Sequence, residues 1–164
     1  MSRAASDRRP RLAAMLRDAR PSDLSAVIGL LSDASLPTAG VPVALEGFVI
    51  AESAGELIGV AGLESYGPSG LLRSVAVRPE ARKAGVGGAL VDRILTNAAA
   101  RGLSDIFLLT TTAEAYFPRH GFTRVARDAV PEPVQASVEF QGACPSNAVV
   151  MHRELARPAS GGTP

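Results

Sequence analysis

The sequence predicts a single α/β domain with a mixed, mostly antiparallel sheet of about six to seven strands, flanked by helices. Three observations predict it. Short apolar segments of strand character recur between turn-forming Gly, Pro and Ser residues. Two other segments carry the helical 3.6-residue period instead. The chain has 164 residues, 46% of them apolar, which fits one domain with a real core.

The elements follow in order. Ala14 to Ala19 is a short strand. Pro21-Ser22-Asp23 opens a helix, with Ser22 or Asp23 able to cap it, and Leu24, Val27, Ile28 and Leu31 form its apolar face. Ser35 to Val41 is turn-rich, and Pro42 to Glu46 reads as a short helical piece. Phe48–Glu52 and Glu56–Tyr66 form a hairpin around Ser53-Ala54-Gly55. Gly67-Pro68-Ser69-Gly70 is a turn, and Leu71 to Val77 is a strand stopped by Pro79. From Val86 the period is helical, with Leu90, Val91, Ile94, Leu95 and Ala98 on one face and Gly102 at the C′ position. Ile106 to Thr110 is a continuous apolar strand, the mark of burial on both faces. Ala113 to Arg119 reads as a short helix, Phe122 to Ala126 as a strand, Pro131 to Cys144 as irregular with one helical turn, and Ala148 to Glu154 as the last strand. Residues 1–12 and 156–164 read as disordered and flexible tails around a domain at 13–155.

Composition excludes several functions. A formal net charge of +1 does not fit a general nucleic-acid binder. No run of about 18 apolar residues exists to span a membrane. The start, MSRAASDRRPRLAAML, lacks the apolar core of a signal peptide. One cysteine, Cys144, forms no intrachain disulfide, and a cytoplasmic setting is expected. No His/Cys cluster suggests a metal.

The stretch LLRSVAVRPEARKAGVGGALV, Leu71 to Val91, carries the chemistry. A strand runs through a Pro turn and a Gly-rich loop into an amphipathic helix. Gly85, Gly87 and Gly88 let backbone approach a ligand. Free N–H groups at the helix start, with the helix dipole, form an anion site. Arg82 and Lys83 add charge, and a pyrophosphate suits such a seat. A Walker A loop needs Lys-Ser/Thr after its last Gly, where Ala89-Leu90 stands. A Rossmann fingerprint needs G-x-G-x-x-G, which is absent. Arg82-Lys83-Ala84-Gly85-Val86-Gly87 fits a third pattern, Arg/Gln-x-x-Gly-x-Gly/Ala.

That pattern resembles the acetyl-CoA signature of the GNAT superfamily, and the resemblance extends from about Met15 to Glu154. It implies the GNAT fold, with the sheet splayed between its two central strands, and acetyl-CoA as co-substrate. It implies that Val75-Ala76-Val77 bond the pantetheine arm and that an N–H there, that of Val75, polarises the thioester carbonyl. The pyrophosphate would lie on the N–H groups of Lys83, Ala84, Gly85, Val86, Gly87 and Gly88, and the strand ending at Thr110-Thr111-Thr112 would splay to admit the cofactor, with Thr111 beside it.

LLRSVAV, LLTTTAEAYFPRHGF and VPEPVQASVEFQGACPSNAVVM look like the arsenic-resistance N-acetyltransferase branch. This implies acetylation of the primary amine of a small amino-acid-like molecule, such as an arsenic- or phosphorus-containing glutamate analogue (arsinothricin is one). Two rival readings are a protein N-terminal or lysine acetyltransferase and a non-catalytic acyl-CoA-binding module. Segment 131–145 is expected to narrow the groove that a protein substrate would need. Family members often dimerise, so a homodimer stays open.

An amine must lose a proton before it attacks. Glu64 lies where many GNAT enzymes hold the base; the bland reading is a salt-bridged carboxylate. The thiolate is usually protonated by the Tyr of Phe-Tyr-x-x-x-Gly-Phe, but here Tyr116 precedes Phe117, one place early. A one-residue step turns a helical side chain by about 100°, so Tyr116 competes with water for the role. Arg73 suits a substrate anion or an ordinary salt bridge. His120 reads as surface, His152 as structural, and Cys144 as a small buried residue before Pro145.

Overall fold

A computed structural model describes residues 14–155; both tails of the sequence reading lie outside the described residues. The elements are β1 (Met15–Asp18), α1 (Leu24–Asp33), β2 (Phe48–Ser53), β3 (Glu56–Tyr66), β4 (Ser69–Val77), α2 (Val86–Ala100), β5 (Asp105–Thr110), β6 (Thr123–Val125), α3 (Glu132–Gln135) and β7 (Val149–Glu154). The sheet order is β1-β2-β3-β4-β5-β7-β6. Only β4 and β5 pair in parallel; the other neighbours are antiparallel. This is the mixed, mostly antiparallel sheet expected.

The helices cover opposite faces. On α2, Val86, Leu90, Val91, Ile94, Leu95 and Ala98 pack with Ala51, Ile58, Ala61, Leu63 and Leu72. Fully burying a side chain such as Leu90 contributes about 2 kcal/mol. On α1, Val27, Leu30 and Leu31 meet Phe48, Ile50, Val60 and Ala76 on the other face. Farther along that face, Val130 and Val134 cover Leu71, Phe107 and Val150. Gly102 ends α2 in the left-handed region at φ 81°, as expected.

Four local expectations are corrected. Pro42–Glu46 is not helical: Leu45 sits at φ 57°, and Leu45 N–H to Pro42 O and Phe48 N–H to Leu45 O make successive turns. The carboxylate of Asp23 accepts from the Arg20 N–H at 2.7 Å and from Arg17 at 2.9 and 3.0 Å, so it holds the preceding turn and β1 instead of capping α1. Tyr66 pairs with Ser69, so the turn is only Gly67-Pro68. Ala113–Arg119 is a turn followed by a 3-10 segment, Phe117–His120. Pro118 lacks the N–H that an α-helix would use there.

Two features of β4 position the site. The β4–β5 ladder runs only from Ser69↔Asp105 to Leu71↔Phe107, and beyond it the strands part. β4 also bulges: Gly62 faces Arg73 but Val60 faces Ala76, so β4 carries one extra residue there, and Ser74 adopts φ 60°. The bulge resets the side-chain alternation. Leu72, Val75 and Val77 face α2, whereas Leu71, Arg73 and Ala76 face the other side.

Candidate active site

A cleft of about 1100 Å³ fills the gap between β4 and β5. Its size suits a ligand longer than one amino acid. One end reaches the Gly-rich loop and the other reaches Arg73, Glu139 and Cys144.

At the loop end, a 3-10 turn, Pro79–Ala84, feeds Gly85 at φ 81° and then α2. A side chain other than Gly there costs about 1–2 kcal/mol in backbone strain. The first helical bond of α2 runs from Ala89 N–H to Gly85 O at 3.1 Å, so the amides of Val86 to Gly88 have no helical acceptor. Arg82 Nε donates to Val77 O at 3.0 Å and ties the loop to the end of β4. A Cβ built on Gly87 would lie 3.6 Å from Val77 Cγ2 and 3.7 Å from the Tyr116 hydroxyl, facing the cleft. Past Leu71, the edge of β4 toward β5 has no strand partner, so apart from Val77 O, which Arg82 occupies, its polar backbone groups face the cleft without a ladder bond. Diphosphate, amide and thioester groups fit this donor set.

The residues named from sequence divide accordingly. Val75, Ala76, Val77, Arg82, Lys83, Gly85, Gly87, Gly88 and Thr111 all line the cleft. Ala84 and Val86 do not: Val86 is buried in the core, since N1 of α2 points its side chain inward.

Tyr116 lines the cleft and Phe117 is buried against Phe122. The Tyr116 hydroxyl is 2.9 Å from His120 Nε2, and His120 Nδ1 is 3.4 Å from Asp92. His120 is therefore not a surface residue as expected; its side chain is 10% exposed. Burial raises the Tyr116 pKa, Arg119 opposing it. His152 is structural: it shares Asp105 with Ser69, at 2.9 and 2.6 Å.

The other end is built from distant segments. The Arg73 side chain has no solvent exposure. Its Nη1 donates to Glu64 Oε2 at 2.8 Å, its Nη2 to Ala39 O at 2.8 Å, and its Nε to Ser74 Oγ at 3.0 Å. Glu139 Oε2 lies 3.5 Å from the same Nε. Arg73 is thus committed within the protein, and the expected substrate clamp gives way to the salt-bridge reading. Glu64 does not line the cleft. Its carboxylate accepts from Tyr66 and from Arg73, so both oxygens are engaged, which fits the salt-bridged reading of Glu64 better than that of direct base.

Glu139 was not singled out by sequence reasoning. It lies in a wide helical turn, Glu139–Ala143, is 3% exposed and lines the cleft. Burial lifts its pKa above the ordinary 4.5; Arg73 pulls it down and Glu64 pushes it up. Cys144, half-buried on the wall, has its thiol pushed up to about 12 by burial and by Glu139. Val138 packs on Gly40, where a Cβ would come within 2.9 Å, so the two segments meet beside Arg73 and narrow that end. The only sequence signal for Glu139 is a carboxylate between Val138 and Phe140 in an otherwise irregular stretch.

Residues 44–124 match the family described as acetyltransferase (GNAT) domain. An amino-acid acetyltransferase of Pseudomonas fluorescens strain SBW25 is 30% identical over 138 residues, covering 77% of this chain and 31% of that protein. The chain spans about a third or less of the length of such relatives. N-acetylglutamate synthase from Neisseria gonorrhoeae, solved with coenzyme A and N-acetyl-glutamate, superposes with a TM-score of 0.75 at 27% identity, over 88% of this chain and 35% of that one. Rv2747 from Mycobacterium tuberculosis, solved with CoA and NLQ, gives 0.71 at 26%, over 87% and 99%. No helix among the described residues is long and apolar enough to cross a membrane. The sheet parted between β4 and β5, the amide-lined loop after β4 and the domain match agree: the chain belongs to the GNAT superfamily of acetyltransferases.

Proposed function

We propose that the protein transfers acetyl from acetyl-CoA to the primary amine of a small amino-acid-like molecule. The single observation that carries this is the continuous cleft, which joins a diphosphate seat on α2 to a narrow, charged acceptor end across the parted strands. The amides of Lys83 to Gly88, with Arg82 and Lys83, would hold the diphosphate. The free edge of β4 would hold the pantetheine arm, and the Val75 N–H would stabilise the oxyanion. Attack is direct, with no covalent enzyme intermediate. The Tyr116 hydroxyl is paired with His120 and lies near Gly87 and Gly88, which turns it toward the diphosphate end, and water protonates the thiolate. Glu64 acts by holding Arg73.

The relatives that are amino-acid acetyltransferases support an amino-acid acceptor. The resemblance to the arsenic-resistance branch adds glutamate analogues carrying arsenic or phosphorus. The test is thiol release from acetyl-CoA across a panel of amino acids, these analogues, N-terminal peptides and lysine peptides. Turnover confined to small acceptors is expected. Turnover of peptides alone would replace this reading with protein acetylation. Binding of acetyl-CoA without thiol release would favour a non-catalytic module.

A further inference from the structure

We propose that Glu139 is the carboxylate that receives the acceptor's ammonium group and takes its proton. The inference rests on the acetyl-transfer reading above and assigns its base.

Two carboxylates reach Arg73, and they are not equivalent. Glu64 has both oxygens engaged and lies behind the cleft wall. Glu139 lies on the wall, and its one contact to Arg73 is long, at 3.5 Å. Arg73 Nε spans Glu139 and Ser74, the bulge residue directly before Val75. Glu139 therefore stands beside the point where the free edge of β4 would present the thioester. The groups facing it are Arg73 from β4, Glu64 from β3 and Cys144 from its own segment. Arg73 offsets one of the two carboxylates, which leaves one negative charge for an incoming ammonium. A carboxylate held above its usual range by burial is a better match to proton abstraction near neutral pH.

The step balances as follows. The ammonium gives one proton to Glu139, and the amine's lone pair forms the N–C bond. The C–S bond breaks with its electron pair leaving on sulfur. The second amine proton is lost as the tetrahedral intermediate collapses and reaches the thiolate through water. Glu139 returns its proton to solvent.

The experiment compares wild type with Glu139→Gln and Glu139→Asp, using the best amino-acid acceptor from the panel. Glu139→Gln should lower kcat/KM for the acceptor on the order of 100-fold and abolish the acid limb of its pH profile, with acetyl-CoA affinity by calorimetry unchanged. Glu139→Asp should keep an acid limb at reduced rate. A Glu139→Gln enzyme with near wild-type kcat/KM and an intact acid limb overturns the proposal. If that variant does not fold, Glu139→Asp with an unshifted limb and full rate overturns it. A wild type that binds acetyl-CoA yet acetylates no amine overturns the function reading itself and takes this assignment with it.

Discussion

The two ends of the cleft are built by opposite means. The loop end uses backbone: amides at the start of α2, a left-handed Gly85 and cations on an exposed turn, all between the end of β4 at Val77 and Gly88. The acceptor end uses buried and part-buried side chains that compensate one another, drawn from positions 64, 73, 139 and 144, with the backbone carbonyl of Ala39. A backbone site tolerates changes in side chain and fails when the approach is blocked. A compensated charge cluster fails when any one member is removed.

That contrast can be tested at each end, and the largest effect should come from Arg73. Arg73→Met leaves the buried Glu139 and the part-buried Glu64 without a counter-charge, and should cost about 3–5 kcal/mol in urea unfolding. A loss under 1 kcal/mol would show that the cluster is not interdependent. Next is Gly87→Asp. A Cβ there makes only ordinary contacts, and an acidic residue at a helix start is stabilising by about 0.3–1 kcal/mol. Melting temperature should hold or rise while acetyl-CoA affinity falls at least about tenfold, because a carboxylate enters the diphosphate seat. Unchanged affinity would remove the diphosphate from the loop.

Glu139 gives a smaller, pH-dependent effect. Its carboxyl is raised in the folded protein, so the native state keeps a proton that the unfolded chain releases. Its contribution is therefore full below the ordinary value near 4.5 and is lost as pH rises through the raised value. Thermal melts of Glu139→Gln should lack this decline, and parallel curves for variant and wild type would contradict it. The smallest effect should be Tyr116→Phe, a few-fold rise in KM for acetyl-CoA, in line with one polar contact of about 0.5–1.5 kcal/mol. A fall in kcat of about a hundredfold with unchanged KM would make Tyr116 the acid instead.

The same contrast explains what could be read in advance. The loop end is local, so Arg82-Lys83-Ala84-Gly85-Val86-Gly87 and the apolar period after it reveal strand, loop and helix together. Leu90, Val91, Ile94, Leu95 and Ala98 all proved buried. The bulge escaped because nothing marks Ser74 for φ 60°; a Gly would have signalled it. Glu64 was found on the right strand, but its engagement by Tyr66 and Arg73 depends on register between β3 and β4. Glu139 was invisible because its approach to Arg73 spans 66 positions and follows from how the segment after α3 folds back over β4. In the 117–120 segment, Pro118 tightened the expected helix to a 3-10 turn.

The most direct test measures two constants in two variants side by side: acetyl-CoA dissociation by calorimetry and acceptor kcat/KM by thiol release, in Gly87→Asp and Glu139→Gln. One cleft with separable ends predicts that Gly87→Asp weakens acetyl-CoA alone among the binding terms, and that Glu139→Gln lowers acceptor kcat/KM while acetyl-CoA binds as in wild type. Loss of acetyl-CoA affinity in Glu139→Gln, or its retention in Gly87→Asp, would contradict this division of the cleft.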